Sequence, residues 1–242
     1  MGTVNGVCLY TDKDNFRIIP IEADNKNVRQ ILEDRNGRIF LNTGFQLYAY
    51  HPREEKITCV LPEISPGNAF YAQCHIAPDN NLWVMTSTGL RCYDPSTLQL
   101  KESVALSGYP YYSYLHNNEL WITGNHTLSI FDTRTHSFKP LPQPIAHNTT
   151  LCNADIDYIH PYGNNGLLLN TARHGMFYYN PGTGSVTRQD ENGFPFEMPR
   201  FRISRMFTDS QQNLWIAPWT RGTPCATTTR SGSTTTTTCA PS

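Results

Sequence analysis

Tyr109, Tyr111 and Tyr112 fall within one heptapeptide, GYPYYSY, while His126, Arg173 and His174 sit in two short polar stretches further along the chain. Aromatic faces stack on the apolar faces of sugar rings, and Arg or His exchanges hydrogen bonds with hydroxyls and carboxylates. With Tyr71, Arg202, Trp219 and Arg221, these residues form an inventory suited to an oligosaccharide or a monosaccharide. Catalytic chemistry is harder to assemble. The chain contains no H-E-x-x-H, no G-x-S-x-G and no phosphate-binding glycine loop. Its eight histidines, at 51, 75, 116, 126, 136, 147, 160 and 174, lack metal-ligand spacing. No catalytic residue, metal site or cofactor is expected from them.

The bulk composition narrows the partners. Nineteen Lys and Arg against twenty Asp and Glu give a net charge of -1, which offers no electrostatic footprint for nucleic acid or anionic lipid. No apolar run reaches the roughly 20 residues that span a bilayer, so no membrane contact is expected within this segment. The first residues, MGTVNGVCLYTDKDN, do not resemble a signal peptide. Seven cysteines without C-x-x-C or a dense framework read as small apolar strand residues.

A repeat organises the 242 residues. One half-unit is a polar turn followed by an apolar strand: EDRNGRIFLNT (33–43), APDNNLWVMTS (77–87), LHNNELWITGN (115–125), PYGNNGLLLNT (161–171) and TDSQQNLWIAP (208–218). The other is a strand ending in an aromatic residue: GVCLYTD, QLYAYHP, GLRCYDP, TLSIFDT and GMFYYNP. Phe40, Trp83, Trp121, Leu168 and Trp215 are spaced by 43, 38, 47 and 47 residues. Tyr10, Tyr50, Tyr93, Phe131 and Tyr179 keep nearly the same irregular beat, at 40, 43, 38 and 48. Alternating apolar positions, β-branched and aromatic content and Asn/Asp/Gly punctuation make these strands, and no helix is expected.

Entry strands such as NVRQILE and closing strands such as ITCVLP complete units of about four strands. Four strands in roughly 40–50 residues is the pattern of a β-propeller blade. The fold class is therefore all-β, a propeller with about five blades present, either a closed five-bladed ring or part of a seven-bladed one. A partial ring would expose apolar faces and sheet edges, so self-association is expected. Loops that leave the LW strand or enter the next blade share one end of each sheet, where ligands usually bind. These are 63–73, 86–89, 105–113, 123–127, 142–157, 171–175, 190–202 and 218–222, and they hold all ten residues named above. Aromatics at blade junctions more often pack neighbouring blades than touch a ligand, and Trp83, Trp121 and Trp215, repeated at one position, read as packing. Asn125 and Asn148 lie in N-x-T tripeptides, which matter only in a eukaryotic secretory context.

The stretches DSQQNLWIAPWTRG, PDNNLWVMTSTGLRCYDPSTLQLKE and DRNGRIFLNTGFQLYAYHPREEKI resemble the two-component-regulator propeller repeat, roughly D-x-x-G-x-L-W-I-G-T-x-x-G-L-x-x-Y-D-P. Departures include Leu168 in place of Trp, and Ala217-Pro218 in place of Gly-Thr. The resemblance, over residues 6–222, implies a periplasmic sensor region of a hybrid two-component histidine kinase. There, propellers precede a Tyr-rich sandwich, a membrane helix and kinase, receiver and DNA-binding domains, and detect glycan breakdown products. Two other readings remain: a streptogramin-lyase-like or lactonase-like propeller with His126 and His174 as catalytic groups, and a scaffold with no small ligand. Residues 1–222 read as half a blade, four blades and half a blade. The tail 223–242, with nine Thr and no Leu, Ile, Val or aromatic, is expected to be disordered, either as a Thr-rich linker or as an out-of-frame translation of a Tyr-rich strand.

Overall fold

Short polar side chains set where each strand begins. Asp34 Oδ1 accepts the N–H groups of Asn36 and Arg38, both at 2.9 Å. Asp209 Oδ1 does the same for Gln211 and Asn213, and Asp79 Oδ1 accepts Asn81 N–H. Three residues before Phe40, Trp83, Leu168 and Trp215, the residues Gly37, Asn80, Asn165 and Gln212 all take left-handed φ, between 62° and 75°, and before Trp121 the same role falls to Asn117 at 56°. Asn and Gly tolerate that conformation best, which explains the punctuation of these turns. In the second half-unit Asp94, Asp132 and Asn180 each accept two N–H groups from the following turn. Thr86 and Thr171 latch the hairpin between the halves, donating to the carbonyls of Gly89 and Gly175 at 3.0 and 2.7 Å. At Gly89 a Cβ would run into the carbonyl oxygen of Val104. The glycine that opens GLxxY is thus fixed by a close backbone approach.

The computed structural model describes residues 2–3, 6–12, 15–19, 21, 26–62, 73–163, 165–198, 203–218, 225–229 and 236–239, the last two segments by their backbone. Six antiparallel sheets follow one another along these residues. The first has three strands, β1 (Gly2–Thr3), β2 (Gly6–Asp12) and β3 (Asn15–Ile19). The second comprises β4 (Gln30–Glu33), β5 (Ile39–Asn42), β6 (Leu47–His51) and β7 (Lys56–Leu61). The third comprises β8 (Gln73–Ile76), β9 (Leu82–Thr86), β10 (Gly89–Tyr93) and β11 (Leu100–Ala105). The fourth comprises β12 (Pro110–His116), β13 (Glu119–Gly124), β14 (Thr127–Asp132) and β15 (Ser137–Lys139). The fifth comprises β16 (Ile156–Tyr162), β17 (Gly166–Thr171), β18 (Gly175–Asn180) and β19 (Ser185–Arg188). The sixth comprises β20 (Ile203–Thr208), β21 (Leu214–Pro218), β22 (Cys225–Thr229) and β23 (Thr236–Cys239). Each is a meander in sequence order, entry strand to closing strand, as a propeller blade requires.

Three expectations change. Neither end is half a blade: the first sheet has three strands, and the sixth gains its two outer strands from the Thr-rich tail. There Trp215 faces Thr228 in register and Thr227 faces Thr237. A ladder needs only free N–H and C=O groups, and Thr is β-branched, so lack of apolar bulk does not prevent pairing. Helices also occur, as two single turns, α1 (Gln143–Ala146) and α2 (Thr149–Cys152). Asn148 caps the second by accepting Leu151 N–H at 2.9 Å, the role that its place in the tripeptide N-T-T concealed.

The chain divides into two compact units, residues 1–125 with 131–138, and residues 126–130 with 139–242. In the first unit, Phe40, Leu47 and Ala49 of the second sheet pack on Leu82, Val84 and Tyr93 of the third. Trp83, Met85 and Leu90 of the third then pack on Leu120, Ile122 and Phe131 of the fourth. In the second unit, Leu168 and Met176 of the fifth sheet meet Met206, Leu214 and Ile216 of the sixth. Phe40, Trp83 and Leu168 thus face the following sheet, while the neighbours of Phe40, Trp83, Trp121 and Trp215 face the preceding one, the strand alternation of period two turned into a stacking direction.

Entry strands of successive sheets are also joined by side chains. Gln30 donates from Nε2 to the carbonyl of Cys74 at 2.6 Å and accepts Cys74 N–H on Oε1 at 2.9 Å. Ser113 donates both its N–H and its hydroxyl to Gln73 Oε1, at 2.5 and 3.0 Å. Its hydroxyl hydrogen being spent, Ser113 Oγ accepts from His75 Nε2 at 2.8 Å. In the second unit His160 Nε2 meets Thr208 Oγ1, also at 2.8 Å. Burial pushes both imidazoles down to about 4, so each is neutral at pH 7.

Candidate ligand-binding loops

The described candidate residues lie where LW strands finish or entry strands begin. In the first unit, Tyr109 is exposed just before β12, while Tyr111 and Tyr112 are half-buried on it. A register shift between Pro110 and Tyr112 breaks the strict alternation that GYPYYSY suggests, so these two rings do not alternate between core and solvent. A shallow depression of ≈ 290 Å³ lies on the third sheet, lined by Thr86, Thr88, Arg91 and Ser103 with Gly89, Leu90, Val104 and Ala105. It contains no aromatic side chain and so lacks a stacking platform.

In the second unit, one carboxylate residue gathers two turns. Asp155, between α2 and β16, accepts the N–H of His126 on Oδ1 at 3.1 Å. Its own carbonyl accepts Ala172 N–H at 2.8 Å, in the turn that carries Arg173 and His174. His126 adopts a left-handed φ of 52° and its ring Nδ1 lies 2.9 Å from the carbonyl of Asn153. A carbonyl can only accept, so Nδ1 carries the hydrogen and Nε2 of the neutral ring is an acceptor. The same Nδ1 is 3.4 Å from Asp155 Oδ1, a contact that strengthens when the ring is protonated. Arg173 and His174 are both exposed, on a turn latched by the bond from His174 N–H to Thr171 Oγ1 at 2.9 Å. The result is an exposed imidazole and an exposed guanidinium on two turns held to a common residue.

Sequence spacing proposed His126, Arg173 and His174 but missed Asp155, the residue that organises their turns. Nothing in the repeat marks it, because it belongs to the helical insertion at 142–155 and not to a blade motif. Tyr71, Arg202, Trp219 and Arg221 lie outside the described residues. Among the described residues, no group of three or more His, Cys, Asp or Glu side chains stands close enough to hold a metal ion, and no helix is long and apolar enough to cross a membrane.

No protein-family model and no curated protein sequence matches the chain. Solved structures do. The extracellular domain of BT4673 from B. thetaiotaomicron, assigned as a one component system, superposes with a TM-score of 0.65 at 24% identity, over 90% of this chain and 30% of that one. The extracellular domain of BT3049 from the same organism, assigned as a hybrid two component system, gives 0.63 at 17% identity, over 93% and 31%. Virginiamycin B lyase from Staphylococcus aureus gives 0.68 at 13% identity, over 98% and 78%. The chain thus has the β-propeller blade architecture of these proteins, and it spans about a third of the length of the two extracellular domains.

Proposed function

We propose that the chain is part of the extracytoplasmic sensing region of a hybrid two-component regulator and that its loop end binds a carbohydrate-derived signal or holds the contacts that pass one on. The observation that carries this reading is the Asp155 hub, which presents His126, Arg173 and His174 from braced turns. A hydroxyl-rich ligand needs fixed donors and acceptors more than a deep apolar pocket, and loops on a rigid scaffold supply them. The structural likeness to two extracellular sensor domains supports the assignment, as does the agreement of five repeat copies with the two-component-regulator pattern. A location outside the cytoplasmic membrane, and control of glycan-utilisation genes by the whole protein, follow from the same reading.

The test is a titration of neutral and acidic oligosaccharides followed by calorimetry and amide chemical shifts. Saturable binding that perturbs residues 126, 155 and 171–175, and weakens about tenfold in Arg173→Ala, is the expected result. Shifts confined to other parts of the chain would remove the hub from the reading.

A second reading is favoured by the lyase match, which covers more of both chains than the sensor domains do. In that case His126 or His174 serves as a proton-transfer group. Turnover of virginiamycin B that needs a divalent cation and is lost in His126→Ala or His174→Ala would establish it.

A further inference from the structure

The depression on the third sheet has a cause in the sequence. Antiparallel pairing sets Arg91 opposite Ser103 on β11 and Val84 on β9, and sets Gly89 opposite Ala105 and Thr86. Side chains of paired residues share a face, as do residues two apart along a strand. Thr86, Gly89, Arg91, Ser103 and Ala105 therefore lie on one side of the sheet, the side that Val84 turns toward the second sheet. Beyond Arg91, the positions at the loop end carry only a glycine, an alanine and a threonine, so the long Arg91 side chain borders a hollow of ≈ 290 Å³. No side chain at Gly89 can fill it, because a Cβ there runs into the Val104 carbonyl oxygen.

The polar groups around this hollow are unequally satisfied. Thr86 Oγ1 gives its hydrogen to the Gly89 carbonyl at 3.0 Å, so in its 3.1 Å contact with Thr88 Oγ1 the Thr88 hydroxyl is the donor. Thr88 Oγ1 is left with lone pairs only, as an acceptor. The Ser103 hydroxyl and the half-buried Arg91 guanidinium have no hydrogen bond or ion pair among the described residues. Acids on β11 and in the turn before it are committed elsewhere. Glu102 is paired with Cys92, on the opposite face, and meets His136 Nδ1 at 2.5 Å, while Asp94 lies 3.2 Å from Lys101 Nζ. A guanidinium presents N–H donors in a fork that matches a carboxylate. We propose that the hollow binds a small carboxylate that also carries hydroxyl groups, its carboxylate held by Arg91 and Ser103 and a hydroxyl donating to Thr88. Sulfate has no hydrogen to give Thr88, and a neutral sugar has no charge for Arg91 and finds no ring to stack on. The volume falls at the small end of the usual range for ligand pockets, about 300–1,000 Å³, which suits a single sugar acid or an open-chain hydroxy acid. The site uses residues of the first unit alone, so it stands or falls independently of the Asp155 hub.

An NMR titration of the whole 242-residue chain with D-glucuronate, L-lactate, D-glucose and sulfate tests the proposal. Glucuronate or lactate should bind saturably, with a Kd on the order of 1 mM, and shift the amides of 86–91 and 103–105. The tighter of the two identifies the source as a sugar acid or an open-chain hydroxy acid. Glucose and sulfate should bind at least about tenfold more weakly. Arg91→Ala should weaken binding about tenfold or more, and Ser103→Ala a few-fold. Ala105→Leu fills the hollow and leaves Arg91 in place, so its loss of binding separates occupation of the site from attraction to a surface charge. Ser103 and Ala105 are exposed, so their variants should keep the wild-type melting temperature, and the test survives an Arg91→Ala chain that fails to fold. No saturable shift in these segments with either acid, glucose or sulfate binding as tightly, or an affinity unchanged in Arg91→Ala or in Ala105→Leu would overturn it.

Discussion

Asp155 holds His126 by accepting its backbone N–H on Oδ1 at 3.1 Å, while the Asp155 carbonyl accepts Ala172 N–H at 2.8 Å. Replacing Asp155 by Ala removes the first bond and keeps the second. One lost hydrogen bond of about 1 kcal/mol corresponds to roughly fivefold faster exchange of the His126 amide, with Ala172 little changed. Asp155→Asn retains an acceptor oxygen and should show a smaller effect. Amide exchange followed by NMR reads both.

The clamp from Gln30 to Cys74 makes a second prediction. Gln30→Ala leaves the Cys74 N–H and carbonyl without their side-chain partner at a buried position, which costs about 1–3 kcal/mol. Gln30→Glu keeps the acceptor for the N–H but has no donor for the carbonyl, and should be destabilised as well. Urea unfolding at neutral pH measures the loss.

Acid should loosen both units through their buried histidines. His75 and His160 titrate near 4 in the folded chain, against about 6.5 when unfolded. Below pH 6.5 the unfolded state takes up protons that the fold refuses, so stability falls as pH drops from 6.5 to 4 and then levels off. Each group contributes at most ~3 kcal/mol to that fall. Unfolding free energy measured between pH 7 and pH 4 should lose part of its slope in His75→Gln and in His160→Gln.

Asp209 also loses its stabilisation in acid, but by holding a charge that its partners favour and not by refusing one. The indole N–H of Trp215, followed by the Asn213 side chain, holds its carboxyl down at about 2. The stabilisation is present above the ordinary carboxylate range and is lost as pH falls through about 2. Trp215→Phe removes the largest cause, so the Asp209 titration should move upward in a carbon-detected NMR experiment.

Gly89→Ala is the sharpest test of the hairpin. An added Cβ meets the Val104 backbone oxygen, which cannot move without displacing β11, so a loss of about 1–3 kcal/mol is expected. Thr88→Ala, one residue earlier, lacks that clash and should be far milder. Thermal melts of the two variants separate the effects.

Much of the fold was written in short-range chemistry. Asp34, Asp79 and Asp209 announce their turns because an Asx side chain satisfies the backbone two to four residues on, and period-two alternation around Phe40 and Trp83 marks strands with both faces covered. The site was only partly legible. His126 and Arg173 lie in recognisable inter-strand turns, but Asp155 joins them from a helical insertion that obeys no repeat. Tyr111 and Tyr112 misled for a related reason, since a bulge shifts register without altering composition. The Thr-rich strands leave no apolar signal in the sequence, because their pairing needs only the N–H and C=O groups of the backbone.

By itself, then, the sequence determined the blade: its turns, its strand order and the positions that must be buried, all set by interactions within a few residues. Only the tertiary structure decided which of those positions are covered. Trp83 and Trp215 occupy the same place in the same motif, yet one is sealed by the sheet that follows and the other remains open to solvent. Burial depends on a neighbour that the local motif cannot specify.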